Sequence, residues 1–193
     1  MKKIKLLTLC LTALMVVFAA CNSGSINKAD GPAKYFDVLS SGNYHLKAKM
    51  TTEGMDVAME MYMKDGNWSM LSKVGEYTNR VILKDNKMHI IDDPSRTILI
   101  TKATPSTQEM QIDTKGMTLT GTGEAEFDGK NLPYEEYTNE TGNKTHFFLN
   151  GDKLAGIRTF VDEKPVDMII LEMDQNIPGN VFDIPDDYQK MEF

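Results

Sequence analysis

What most constrains this chain is a change of hydrophobic period. From residue 44 onward apolar and polar side chains alternate: residues 44–50 read Tyr-His-Leu-Lys-Ala-Lys-Met, and residues 55–64 read Met-Asp-Val-Ala-Met-Glu-Met-Tyr-Met-Lys. Successive side chains of an extended chain point to opposite faces, so a period of two specifies strands with one apolar face. Asp65-Gly66-Asn67 reads as a tight turn, after which Trp68, Met70 and Val74 share a face and Gly75 breaks the strand. Strands over residues 77–84 and 87–92 flank the turn pair Asp85-Asn86. Asp93-Pro94-Ser95-Arg96 makes the next corner before a short β-branched strand at 97–101. Six strands in about 60 residues, joined by hairpins, predict an antiparallel meander.

The rhythm lapses over residues 103–115, where Pro105 falls and Thr107-Gln108-Glu109-Met110 can form a helical turn; a connection of this length can act as a flap. It resumes near Thr118, with strands at 124–127, 132–139, 145–149, 154–161 and 166–173. The turns between them are Asp128-Gly129-Lys130, Thr141-Gly142-Asn143, Asn150-Gly151-Asp152 and Asp162-Glu163-Lys164-Pro165. The tail, residues 177–185, is extended and proline-marked, as an edge strand would be. Ahead of the strands, Pro32 suits a first helical turn, Ala33, Phe36, Val38 and Leu39 form an apolar stripe, and Gly42 closes the helix. Ten or eleven strands, roughly, and one or two short helices predict an α+β chain with one large curved antiparallel sheet.

The first 20 residues read as an address. Lys2, Lys3 and Lys5 supply positive charge, residues 6–18 are nearly all apolar, and Ala19-Ala20-Cys21 is a small-residue exit. A run of this length is a secretory signal rather than a span, which needs about 20 apolar residues. Phe18-Ala19-Ala20-Cys21 resembles the bacterial lipobox, although Phe18 departs from its usual Leu or Val. Cys21 is therefore the expected site of lipid attachment and the mature N-terminus. The division that follows is a lipoprotein signal peptide over 1–20, an acylated polar tether over 21–30, and a single β-rich domain over 31–193. No acidic run follows Cys21, which favours the periplasmic side of an outer membrane.

Without the leader the chain has 18 basic and 28 acidic side chains, a charge of −10. Such a body is a poor partner for nucleic acid, whose phosphates require clustered Lys and Arg. One cysteine remains, so an internal disulfide and a Cys-ligated zinc or iron–sulfur site are excluded. His45, His89 and His146 each lie on a strand, and none has a second histidine at metal-ligand spacing. Neither a nucleophile elbow nor a phosphate-cradling glycine loop occurs. Acidic neighbours such as Glu135-Glu136 face opposite ways on a strand and do not converge. No enzyme, no catalytic residue, no metal and no cofactor is expected.

Methionine is the compositional oddity, with 12 of the 14 beyond residue 20. Met55, Val57, Met59, Met61 and Met63 project from one face of one strand. Met is unbranched and polarizable, so such a face serves as core filler or as a deformable lipophilic cavity. Val57, Met59, Met61, Met63, Trp68 and Met70 are the candidate cavity residues. A Met-x-Met-x-Met array also suits Cu(I), with His45 and His89 the nearest histidines by sequence.

The order of lipobox, short helix, antiparallel hairpins and a Pro-flanked ending resembles the LolA/LolB-like lipoprotein-carrier superfamily, and more closely the LolA-like lipoproteins of that group. Ser41-Gly42-Asn43-Tyr44, Pro133-Tyr134-Glu135-Glu136-Tyr137 and the stretch 177–188 carry the likeness. It implies an unclosed half-barrel whose concave apolar face is lidded by helices and holds acyl chains. A shuttle should be soluble; a chain anchored at Cys21 fits a receptor-like or lipid-sensing branch. The expectation is an outer-membrane-anchored lipoprotein binding a lipid, an acyl chain or another lipophilic partner. The alternatives are an envelope interaction protein with a filled core and a Cu(I)-handling protein.

Overall fold

The computed structural model describes Tyr35, Val38, Leu39 and residues 41–52, 55–104, 116–161 and 163–193. The leader, Cys21, the tether and the helical turn expected at 107–110 lie outside the described residues. Of the expected first helix, Tyr35, Val38 and Leu39 are helical.

Among the described residues twelve strands form one sheet. In chain order they are β1 (Tyr44–Thr52), β2 (Met55–Lys64), β3 (Asn67–Val74), β4 (Tyr77–Lys84), β5 (Lys87–Asp92), β6 (Thr97–Lys102), β7 (Thr118–Phe127), β8 (Lys130–Thr138), β9 (Lys144–Asn150), β10 (Lys153–Val161), β11 (Lys164–Asp174) and β12 (Gln189–Glu192). Their order across the sheet is β12-β6-β5-β4-β3-β2-β1-β11-β10-β9-β8-β7. Two meanders, β1–β6 and β7–β11, are thus sewn together by the antiparallel pair β1·β11. The sheet is unclosed, with β12 and β7 at its edges. Several hairpin turns have positive φ at both central residues: 51° and 78° at Asp65-Gly66, 53° and 61° at Asp85-Asn86, 48° and 72° at Asp128-Gly129. That backbone matches the twist of the strands it joins, which is why Asp, Asn and Gly stand there.

Irregularities interrupt the ladders opposite Lys47/Ala48, Leu119/Gly121 and Leu154/Gly156. Bulges sharpen local twist, and an open sheet this wide must curl. The concave face carries the main core, in which β1, β2, β3, β4, β8, β9, β10 and β11 all take part. Leu39 is buried in it, and Tyr35 and Val38 pack against it, so the helical residues sit on the concave side.

The tail departs from expectation. Residues 177–185 are not a strand; a 3-10 helix, Gly179–Phe182, occupies them. The edge strand is β12, and it runs parallel to β6. Pro178 and Pro185 cannot donate to a ladder, so pairing waits until both are past. On the way Phe182, Ile184 and Tyr188 pack against Ile82, Ile91, Ile98 and Ile100. These four are on the opposite face from Val81 and Leu83, so the tail covers the convex side of β4–β6.

Candidate functional site

The alternation in β1, β2 and β3 places Tyr44, Leu46, Ala48 and Met50, then Val57, Met59, Met61 and Met63, then Trp68, Met70 and Val74 on the concave face. Register brings the expected residues together: Met63 lies opposite both Tyr44 and Trp68, Met61 opposite Leu46 and Met70, Met59 opposite Ala48, and Val57 opposite Met50 and Val74. All six candidate residues are buried, none more than 3% exposed. Met50, Met117 and Met168 join them from elsewhere in the chain, which makes seven buried methionines in one cluster among the described residues, with Met88 and Met173 packed at its margin. Burying side chains of this kind stabilises the sheet by about 1.5–3 kcal/mol each. Met59, Met61, Met63, Trp68 and Met70 pack in the core, while Val57 also lines a cleft of about 350 Å³ beside Met50, Lys73 and Ile169.

Across β8–β11 the same face changes character. Phe147, Ile157 and Met168 continue the apolar floor, but Tyr137, Thr145 and Thr159 share it. Tyr137 donates to Glu135 Oε2 at 2.7 Å, and burial together with that carboxylate pushes its phenol well above the usual range. Thr145 and Thr159 stand directly opposite each other on β9 and β10. Their hydroxyls are buried, and neither has a hydrogen-bond partner among the described residues. Sequence reading passes over this pair, since threonine on a strand carries no chemical signal; only the β9–β10 register brings the two together.

The histidines face away from the methionines. His45 lies opposite Tyr62, and His89 opposite Ile82 and Ile100, all on the convex side. A Cu(I) site joining the Met row to either histidine is therefore not built, because a strand's period of two sends Met61 and Tyr62 to opposite faces. His146 stacks on Tyr134 with ring centroids 4.2 Å apart, its Nε2 lying 3.1 Å from Glu136. His45 stacks on Tyr62 at 4.5 Å, and both turn toward Glu60, His45 Nε2 at 3.0 Å and the Tyr62 hydroxyl at 2.9 Å. Burial and Glu60 push the Tyr62 phenol up to about 12. Burial pushes Glu60 upward too, but the bonds from Tyr62 and His45 and the charge of Lys47 outweigh it, and its carboxyl lies below the usual range.

These features define a class: an open antiparallel half-barrel with a methionine-rich concave face and a partly polar far end. In fold the chain is similar to an uncharacterized conserved protein from Thermus thermophilus, with a TM-score of 0.54 and 10% identity over 83% of this chain and 96% of that one. It is more loosely similar to MucB, at TM-score 0.46 and 11% identity over 86% of this chain and 66% of that one. A DUF1329 family protein from Desulfovibrio piger follows at 0.34 and 10%, over 80% and 98%. At these identities the likeness is one of fold. No family model matches the chain, and no curated protein does.

Proposed function

We propose that the chain is a lipid-anchored protein of the bacterial envelope, held through Cys21 at the periplasmic side of the outer membrane, that binds an acyl chain or a similar lipophilic partner against its concave face. The reading keeps the LolA-like kinship inferred from the sequence and assigns no catalytic step. One observation carries it: the two orphan hydroxyls of Thr145 and Thr159 lie on the same face as seven buried methionines. A buried polar group without a partner calls for an explanation, and an unseen ligand oxygen is one. Binding sites for small amphiphiles combine an apolar, adaptable lining with a few polar groups that fix orientation. The Met row suits the tail of such a molecule and the threonine pair its oxygen-bearing end.

Native mass spectrometry tests this on protein exported with Cys21→Ser, so that covalent lipid does not confuse the mass. A non-covalent adduct of lipid size is expected, and it should fall sharply in a Thr145→Val/Thr159→Val variant, which restores apolar surface where the hydroxyls stood. Bare protein mass in gentle conditions, with no uptake of added fatty acid, would sink the proposal. The open edge at β7 supports a second reading. It is ten residues long, and among the described residues no strand lies beyond it. Such an edge can accept a strand from a protein partner.

A further inference from the structure

The convex face of β1, β2 and β11 holds a cluster that the concave face does not use. We propose that His45, Glu172 and Asp174 form a binding site for a divalent cation of zinc's class. The sequence separates the first of these from the other two by more than a hundred residues, and the β1·β11 register places His45 opposite Asp174 and Lys47 opposite Glu172. One ligand atom from each of the three residues lies within 4.8 Å of the others.

The histidine is the fixed point of the cluster. Only 6% of His45 is exposed, and its ring is clamped against Tyr62, so its orientation is set by packing rather than by solvent. Its Nε2 faces Glu60 Oε1 at 3.0 Å. A carboxylate can only accept, so Nε2 carries the proton of that bond. The other nitrogen, Nδ1, then faces Asp174 Oδ2 at 3.5 Å, with the Glu172 carboxylate beside it. A ring nitrogen turned toward a carboxylate is held either by a second ring proton or by a metal cation between them. The carboxylate–histidine–metal arrangement supplies the latter, and Glu60 is already in the outer position that orients the ring. Asp174 is prepared as well: its Oδ1 accepts the Asn176 N–H at 2.7 Å, which leaves Oδ2 for the ion.

One nitrogen and two carboxylate oxygens suit zinc or manganese rather than Cu(I). Bonds of about 2.0–2.2 Å would draw the donors closer together than they stand. The exposed Glu172 and half-exposed Asp174 side chains can make that movement while the ring stays still. Three protein donors leave a further position for water. Lys47, whose Nζ is 3.7 Å from Glu60 Oε1, is a nearby charge that opposes a cation. The site is on the opposite side of the sheet from the methionines and does not rest on the acyl-chain reading.

The test is calorimetric titration of the full chain with zinc chloride, and separately with manganese chloride, in metal-free buffer near neutral pH. One saturable site in the micromolar range or tighter is expected for zinc. Glu172→Gln and Asp174→Asn should each weaken it by at least the roughly tenfold seen when even an outer group supporting a metal ligand is lost. Lys47→Gln should tighten it, by roughly threefold for one charge removed at the surface. His89→Gln, on a distant part of the same face, should change nothing. The variants alter one exposed and one half-exposed group, and circular dichroism will confirm that they fold. Absence of saturable binding, or unchanged affinity in both carboxylate variants, overturns the proposal.

Discussion

At Gly156 a missing side chain is a packing requirement. A Cβ there would lie 2.2 Å from Phe127 Cζ and 2.5 Å from the Met168 carbonyl oxygen. The Phe127 ring fills that space and stacks on Phe148 at 4.3 Å, with the Arg158 guanidinium 5.1 Å from the Phe148 centroid. Arg158 is itself pinned by two bonds to Asp167, at 2.6 and 2.7 Å. A ring can give way to a methyl group, but a backbone oxygen in a ladder cannot do so cheaply. Gly156→Ala should therefore cost about 2–3 kcal/mol, at the upper end for overpacked sites. In urea its midpoint should fall while the slope stays constant; a midpoint equal to the parent's would refute the packing account. The sequence shows only a glycine within a strand, because the ring that needs it comes from β7. The same holds for Gly123, over which Tyr134 lies. By contrast Met59, Met61 and Met63 announce a shared face, because one strand carries all three.

Elements divide along the same line. The first three strands are legible because they alternate, and β4–β6, which hold consecutive apolar residues such as Val81-Ile82-Leu83 and Ile98-Leu99-Ile100, because Asp, Asn, Gly or Pro stands at the corners between them. β12 is not, since all four of its residues are exposed and it has no apolar period to read. Its place is set by backbone bonds instead: the Gln189 N–H donates to the Arg96 carbonyl and the Phe193 N–H to the Ile100 carbonyl, both at 3.0 Å. Arg96 also pairs with Asp187, Lys87 with Glu192 at 2.6 Å, and the Tyr188 hydroxyl donates to Asp93 at 3.0 Å. Exposed ion pairs of this kind contribute little. The apolar contact of Phe182, Ile184 and Tyr188 with Ile82, Ile91, Ile98 and Ile100 is what holds the tail. Removing residues 177–193 should uncover that isoleucine patch and free the β6 edge together. The truncated chain should bind a hydrophobic dye and self-associate, as sedimentation would register. If it stays monomeric and silent to dye, the tail is an ornament rather than a cover.

For the whole molecule, the decisive contact is the one no local pattern can reveal. Alternation specifies that β1 and β11 are strands; it does not specify that they meet, because loop closure over more than a hundred residues leaves no trace in either segment. Their meeting makes one sheet of two meanders, and it assembles both the continuous concave core and the His45, Glu172 and Asp174 cluster. Joined by one ladder, the meanders could still unfold separately if each had its own core. They do not: the cluster that holds Met59 and Trp68 also holds Tyr137, Phe147 and Ile157, and Met50 and Met168 face each other across the seam. Opening the seam would strand apolar surface on both sides, so unfolding should be a single transition. Trp68, the one tryptophan and 1% exposed, reports on the first meander. Its emission should start blue-shifted and move red with denaturant, in step with far-ultraviolet dichroism, to which all twelve strands contribute. Amide exchange in β8–β10 should reach the same limiting free energy as in β1–β3. A Trp68 transition that precedes the dichroism, or weaker protection throughout β8–β10, would mean that the concave face is two surfaces rather than one, and a ligand laid across it would then act as a clasp between halves.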